Sequence, residues 1–174
     1  MHRFSELIDR CTTFTLIALQ EAEARTLDAL QTRSESSLVK TMQMAQLQRV
    51  VSAVGMFSIF EALLQDQLKC TEGFNAADEI LDAAGEQELS ARFNVFRLAI
   101  NVLKHGEGWS YRDLLQKPSL PFKIKQPDQN FFEEGDIAEV QALIHVDDAF
   151  VIDCANTIRD VSDVLRRVRP DFYA

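Results

Sequence analysis

Turn formers are scarce in this chain: it has six glycines and four prolines among 174 residues. So few breakers imply long elements, and long elements favour helices. A basic surplus is missing too. Residues 1–70 carry 7 basic and 8 acidic side chains, 71–116 carry 4 and 8, and 117–174 carry 7 and 11, for a net charge of −9. Strong non-specific binding to a phosphate backbone needs a positive stripe, so the acidic balance disfavours RNA as a partner and leaves only a local patch for it. The three cysteines, Cys11, Cys70 and Cys154, are odd in number, widely spaced and without CxxC geometry. They fit idle thiols in a reducing compartment better than a disulfide frame. No basic segment followed by an apolar core opens the sequence, because Glu6, Asp9 and Arg10 interrupt it. The longest apolar run, Val50–Leu64, contains Ser52, Ser58 and Glu61 and falls short of a membrane span. The sequence therefore predicts a cytoplasmic protein with no membrane contact. Neither an internal repeat nor a low-complexity tract is evident.

What is present is helical periodicity, with 47% hydrophobic residues to supply a core. A first helix is predicted over 3–32, with Phe4, Leu7, Cys11, Phe14, Ile17, Ala24, Leu27 and Leu30 as its apolar stripe. The polar connector Gln31–Ser37 offers a serine cap for a second helix, about Ser37 to Lys69. Its stripe is Val39, Met42, Leu47, Val50, Val51, Val54, Phe57, Phe60, Leu64 and Leu68. Two such helices joined by a short loop should pack as an antiparallel hairpin. Asn75 is placed to cap a short helix through Ala84, with Gly85 ending it. A central helix follows over Glu86–Lys104, and Ser110-Tyr-Arg-Asp113 has the spacing of a capping box for a helix through Gln116.

After Gln116 the texture changes. Pro118, Pro121 and Pro127 fall close together with Lys117, Lys123 and Lys125, and Phe131-Phe132 follows. This reads as an irregular crossover near 117–136, with a short strand at Phe122–Lys125 and an undecided stretch at Val140–Val146. Phe131-Phe132 is either an interaction arm or an apolar plug. Asp147 or Asp148 then caps a last helix, whose Arg166, Arg167 and Arg169 suit its C-terminal dipole. The expected fold is all-α: an antiparallel helical bundle built on a long hairpin. It forms a single domain over 1–174, with core bundle 1–116, loop 117–146 and C-terminal helix 147–169. A hairpin of this length leaves a broad apolar side to bury, which points to a homodimer.

One stretch could carry chemistry: Arg97-Leu-Ala-Ile-Asn-Val-Leu-Lys-His-Gly-Glu-Gly-Trp-Ser110. Arg97, Asn101 and His105 recur every four residues and drift by only about 80°, so they share a face of an otherwise apolar helix. Polar groups in such a line must face water or be held by partners. Glu61, within Phe57-Ser-Ile-Phe-Glu-Ala-Leu-Leu64, is the carboxylate most out of place; it lies on the stripe's edge or beside that line.

The long hairpin, the aromatic-Glu step Phe60-Glu61 and the later helix ending Asn101-Val-Leu-Lys-His105-Gly106 together resemble the HEPN superfamily of helical-bundle proteins. The resemblance covers roughly residues 1–116. It implies a metal-independent ribonuclease, often dimeric, of the kind found in toxin–antitoxin and defence systems, with a site motif Arg-Asn-x-x-x-His. Asn101 and His105 match that motif, but Ile100 stands where its arginine would be. Cleavage by 2′-hydroxyl attack needs a group that moves protons and a cation that steadies the phosphorane, roles suited to histidine and arginine. Arg97 is the nearest arginine, about 12 Å from His105 along the helix axis; Lys104 or Arg112 could supply charge instead.

Two functions follow. The first is a regulatory or interaction module in a stress or defence context with degenerate or absent catalysis, bound to a protein partner. The second is an active endoribonuclease using His105 and Asn101. Each residue also has a plain structural reading. His105 suits a helix C-terminus, Asn101 could pack against Glu61 or backbone, and Arg97 could be Glu61's ion-pair partner. Trp109 and Tyr111 could stack a base or meet a partner, or simply fill the core. Gly106-Glu-Gly108 is too short for a phosphate loop. His2 and His145 lack metal-spaced companions, so neither a metal nor a cofactor is expected.

Overall fold

The computed structural model describes residues 2–33, 35–127 and 142–173. Among them are six helices: α1 (Phe4–Leu30), α2 (Ser36–Leu68), α3 (Gly73–Ala83), α4 (Gln87–His105), α5 (Trp109–Gln116) and α6 (Asp148–Val168). The fold is an all-α bundle. α1 and α2 form an antiparallel hairpin, with Phe4 stacked on Phe60 at one end and Arg49 bound to Glu23 at the other. α6 packs against both, α3 and α4 cover the second half of α2, and α5 leans on α4.

The helix ends show how local chemistry fixes this arrangement. α2 stops at Lys69, which adopts the left-handed conformation (φ 54°) while the Cys70 amide reaches back to Gln65 O at 3.2 Å. Gly73 then opens α3 hard against α2. A β-carbon there would lie 2.7 Å from the Glu61 carbonyl oxygen and 2.8 Å from Leu64 Cβ. α4 ends where Gly106 turns to φ +74°, and its amide donates to Val102 O at 2.8 Å. Asp147 caps α6 as expected, its Oδ1 accepting from the Phe150 amide at 2.8 Å. The other expected caps differ. α2 begins after Glu35 with no side-chain cap, and Asn75 lies inside the first turn of α3. Ser110 lies inside α5, whose extended N-cap is Gly108, so the Ser110–Asp113 box is not formed.

The core is aromatic. Phe57, Phe60, Phe74 and Phe93 join α2, α3 and α4 through edge-to-face and stacked contacts 5.4–6.3 Å apart. Phe96, Phe122 and Phe150 tie α4 and α6 to the crossover. Such ring pairs contribute about 0.5–1.5 kcal/mol each beyond their buried area. The crossover itself carries an isolated antiparallel bridge, Ile124 to Ile144, with Lys125 N donating to Leu143 O at 2.8 Å. The short strand expected at Phe122–Lys125 is thus one bridge, and residues 142–146 are not helical, with a bend at Leu143 before the bridge at Ile144. Phe131-Phe132 lies outside the described residues.

α1 presents the opposite face from the one its apolar stripe suggests. Ser5, Ile8, Thr12, Leu16 and Thr26 are buried, whereas Leu7, Phe14, Ile17 and Leu27 are exposed, Phe14 by 77%. The reason is α6, whose own bulky Val151, Cys154, Ile158, Val161 and Leu165 fill the space between the helices. Small side chains on α1 let it approach. Asp9 and Ser5 then meet Arg159 at 3.3 Å and Arg166 at 3.2 Å. α2 is also more apolar than the Val50–Leu64 run suggested. By length and composition it could cross a membrane, with a window of mean hydropathy 1.4, of which 33% is buried here. Phe57, Phe60 and Leu64 nonetheless face the bundle and are fully covered.

Candidate functional site

α4 carries Arg97 and Asn101 on one side, and the turn from α2 into α3 brings Glu61, Thr71, Glu72 and Asn75 opposite them. Together with Phe74, Leu98 and Trp109 they line a cleft of about 320 Å³. Four of the residues singled out from sequence, Glu61, Arg97, Asn101 and Trp109, therefore converge. The sharp α2–α3 turn makes this possible, because Gly73 allows α3 to sit against the Glu61 carbonyl.

The electrostatics of the cleft are mixed. Arg97 Nη1 donates to Asn75 Oδ1 at 2.8 Å and Nη2 to Asn94 Oδ1 at 3.1 Å. These are neutral amide acceptors, which orient the guanidinium without neutralising it. Asn75 in turn donates to Glu72 Oε2. The Glu61–Arg97 ion pair of the plain structural reading is absent among the described residues, and Asn101 makes no side-chain hydrogen bond among them. Two carboxylates, one held guanidinium, a free amide and a 68% exposed indole thus share one opening.

The remaining candidates lie elsewhere. His105 is exposed at the last residue of α4 and does not line the cleft. Eight residues of helix carry it about 12 Å along the axis from Arg97, and α4 ends there at Gly106. Lys104 and Arg112 are exposed outside the lining. Tyr111 is buried, and its hydroxyl donates to Lys125 O at 2.5 Å, which ties α5 to the crossover. Burial, and then the nearby Glu107 charge, raise the Tyr111 phenol above its ordinary range. Burial likewise pushes the Cys154 thiol well above the usual thiol range, so it stays protonated. Among the described residues no three His, Cys, Asp or Glu side chains converge to hold a metal ion.

A second polar cluster escaped the sequence reading. Arg49, only 6% exposed, donates from both terminal nitrogens to Glu23 at 2.6 and 2.7 Å and from Nε to Asp148 at 2.6 Å. Gln20 also donates to Asp148, at 2.7 Å, and Gln46 to Val146 O, at 2.7 Å. One guanidinium thereby joins α1, α2 and the start of α6. The Glu23 hydrogen bond is the largest contribution raising the Arg49 pKa, working against the desolvation of burial. The signal was there to find: a charge spaced four residues from Ala45 and Ala53 on the buried side of α2. A further groove of about 520 Å³ lies between α4 and α6, spanned by the Arg92–Asp160 and Arg167–Glu86 ion pairs.

No protein-family model, curated protein or solved structure matches this chain.

Proposed function

We propose that this chain is a HEPN-like helical module that acts by binding a protein partner, with catalysis degenerate or absent, in a cytoplasmic stress or defence setting of the toxin–antitoxin kind. One observation carries the reading: His105, the proton-moving residue of the resembled motif, stands outside the cleft where Arg97 and Asn101 meet. Acid–base catalysis needs such a group within hydrogen-bond reach of the reacting atom. The lining adds support. A phosphate chain entering this cleft would meet Glu61 and Glu72 beside the single guanidinium. A protein segment that offers a basic side chain to those carboxylates and an acceptor to Arg97 suits it better, with exposed Trp109 as an apolar or cation–π anchor.

The test is RNA cleavage in the presence of EDTA by the full chain and by His105→Ala, together with growth inhibition on expression of each. The expected result is no cleavage by either protein and indistinguishable growth. Cleavage by the wild type that His105→Ala abolishes would overturn this reading in favour of a metal-independent endoribonuclease using His105 and Asn101.

A further inference from the structure

The outward side of α1 has a regularity that its role inside one chain does not require. Arg3, Leu7, Arg10, Phe14, Ile17, Glu21, Ala24 and Asp28 follow one another in alternating steps of four and three. This is the seam spacing of a helix that packs along a second helix, and every one of these residues is exposed. Read from its two ends, the seam pairs Arg3 with Asp28, Leu7 with Ala24, Arg10 with Glu21 and Phe14 with Ile17. The flanking Glu6 and Arg25 continue the pattern. Each charge therefore has its opposite at the mirrored position. Among the described residues, Arg3, Arg10, Glu21, Arg25 and Asp28 form no ion pair within the chain.

We propose that this face of α1 is a homodimer interface, with a second copy of the chain laid antiparallel on it about a twofold axis between Phe14 and Ile17. In that arrangement Arg3, Glu6 and Arg10 meet Asp28, Arg25 and Glu21 of the other copy, and the axis doubles every pair. A parallel pairing would set each charge against its own copy and is excluded by repulsion, so the seam selects orientation as well as partner.

The neighbouring helix fits the same axis. The hairpin register, set by Phe4 on Phe60 and Glu23 on Arg49, places Val51–Gly55 of α2 level with the centre of α1. There the outer side of α2 narrows to Val51 and Gly55. A β-carbon at Gly55 would meet nothing within 4 Å. A mid-helix glycine is disfavoured relative to alanine, and its recess here admits another helix at close range. Met44, Leu47, Val51 and Ile59 are each about half exposed or more on this helix, as are Leu7, Phe14 and Ile17 on the seam of α1. Together they offer on the order of 800 Å² of apolar surface, about what each partner gives to a standard interface. Glu21 and Asp28 on the seam disfavour an anionic bilayer as the occupant, since membrane-lying helices carry mainly lysine and arginine on their polar side.

Sedimentation of the full chain, whose monomer mass is 19.7 kDa, tests the proposal. The wild type should sediment at twice that mass. Arg10→Glu and Glu21→Arg should each weaken the dimer at least tenfold, and Phe14→Asp should give a monomer. All three should keep wild-type helicity by circular dichroism, because the altered residues face solvent. Mixing the R10E and E21R proteins should restore a dimer, as should combining both changes in one chain. A monomeric wild type would overturn the proposal, and so would a dimer indifferent to R10E and F14D or a failed rescue. Flotation of a monomeric wild type with phosphatidylcholine–phosphatidylglycerol vesicles, lost in F14D, would overturn it in favour of a membrane face.

Discussion

Two arginines on neighbouring helices show how burial decides the work of a side chain. Arg49 is sealed between α1, α2 and α6, and two carboxylates accept one hydrogen bond from each of its three nitrogens. Arg97 is half-buried on α4 and is steadied only by two amide oxygens, so its charge stays available to the cleft. A buried guanidinium without carboxylates would be prohibitively costly, which is why Arg49 comes with both. A partly solvated one tolerates neutral partners, and those leave it able to bind something else. The first arginine is structural, and the second belongs to a surface open to ligands.

The largest effect is expected at the first. Arg49→Met keeps the volume but leaves Glu23 and Asp148 facing each other at a helix junction. Breaking a pair of this kind should cost about 3 kcal/mol, or roughly 6–12 °C in Tm for a chain of this size. Thermal unfolding followed by circular dichroism checks this, and a loss below 1 kcal/mol would show that the clamp is ornamental.

A middle effect is expected at the junction that shapes the cleft. Gly73→Ala sets a methyl 2.7 Å from the Glu61 carbonyl oxygen and 2.8 Å from Leu64 Cβ. The first of those neighbours is helical backbone and cannot swing aside, so α3 must lift away from α2. Overpacking of this sort costs about 1–3 kcal/mol, which a urea titration would register as a lower midpoint with an unchanged slope. The same change widens the cleft between Glu61 and Arg97. Stability and binding at the cleft should therefore fall together, whereas at Arg49 stability falls alone.

Helix existence was legible because the chain is punctuated where it turns: Gly85 after α3, Gly106 after α4 and Asp147 before α6 each end or start an element as its chemistry suggests. The inward face of α1 was not. Its apolar residues outnumber the small polar ones, and periodicity rewards bulk. The bundle instead buries Ser5, Thr12 and Thr26 because α6 brings the volume. The site divides along the same line. Arg97, Asn101 and Glu61 could be placed together from helix spacing and a misplaced carboxylate. Glu72, Asn75 and Asn94 could not, because their part depends on how α3 docks, a tertiary fact with no local signature. His105 was grouped with the first set by its four-residue step. That step measures angle and not distance: two turns of helix separate His105 from Arg97, and His105 is not among the residues that line the cleft.

The smallest stability effect should come from the second arginine. Arg97→Met removes two hydrogen bonds to neutral acceptors on a half-solvated side chain, and bonds of that kind contribute about 0.5–1.5 kcal/mol net. The expected loss is about 1 kcal/mol, or roughly 2–4 °C, measured in the same experiment as Arg49→Met. Arg97→Lys should sit between this variant and the wild type, since it keeps the charge but not the fork that spans Asn75 and Asn94. If Arg97→Met instead unfolds as early as Arg49→Met, the cleft arginine is holding α3 to α4 in the way Arg49 holds α1 to α6. Its charge would then be committed to the fold, and the contrast between a structural cation and an available one would fail.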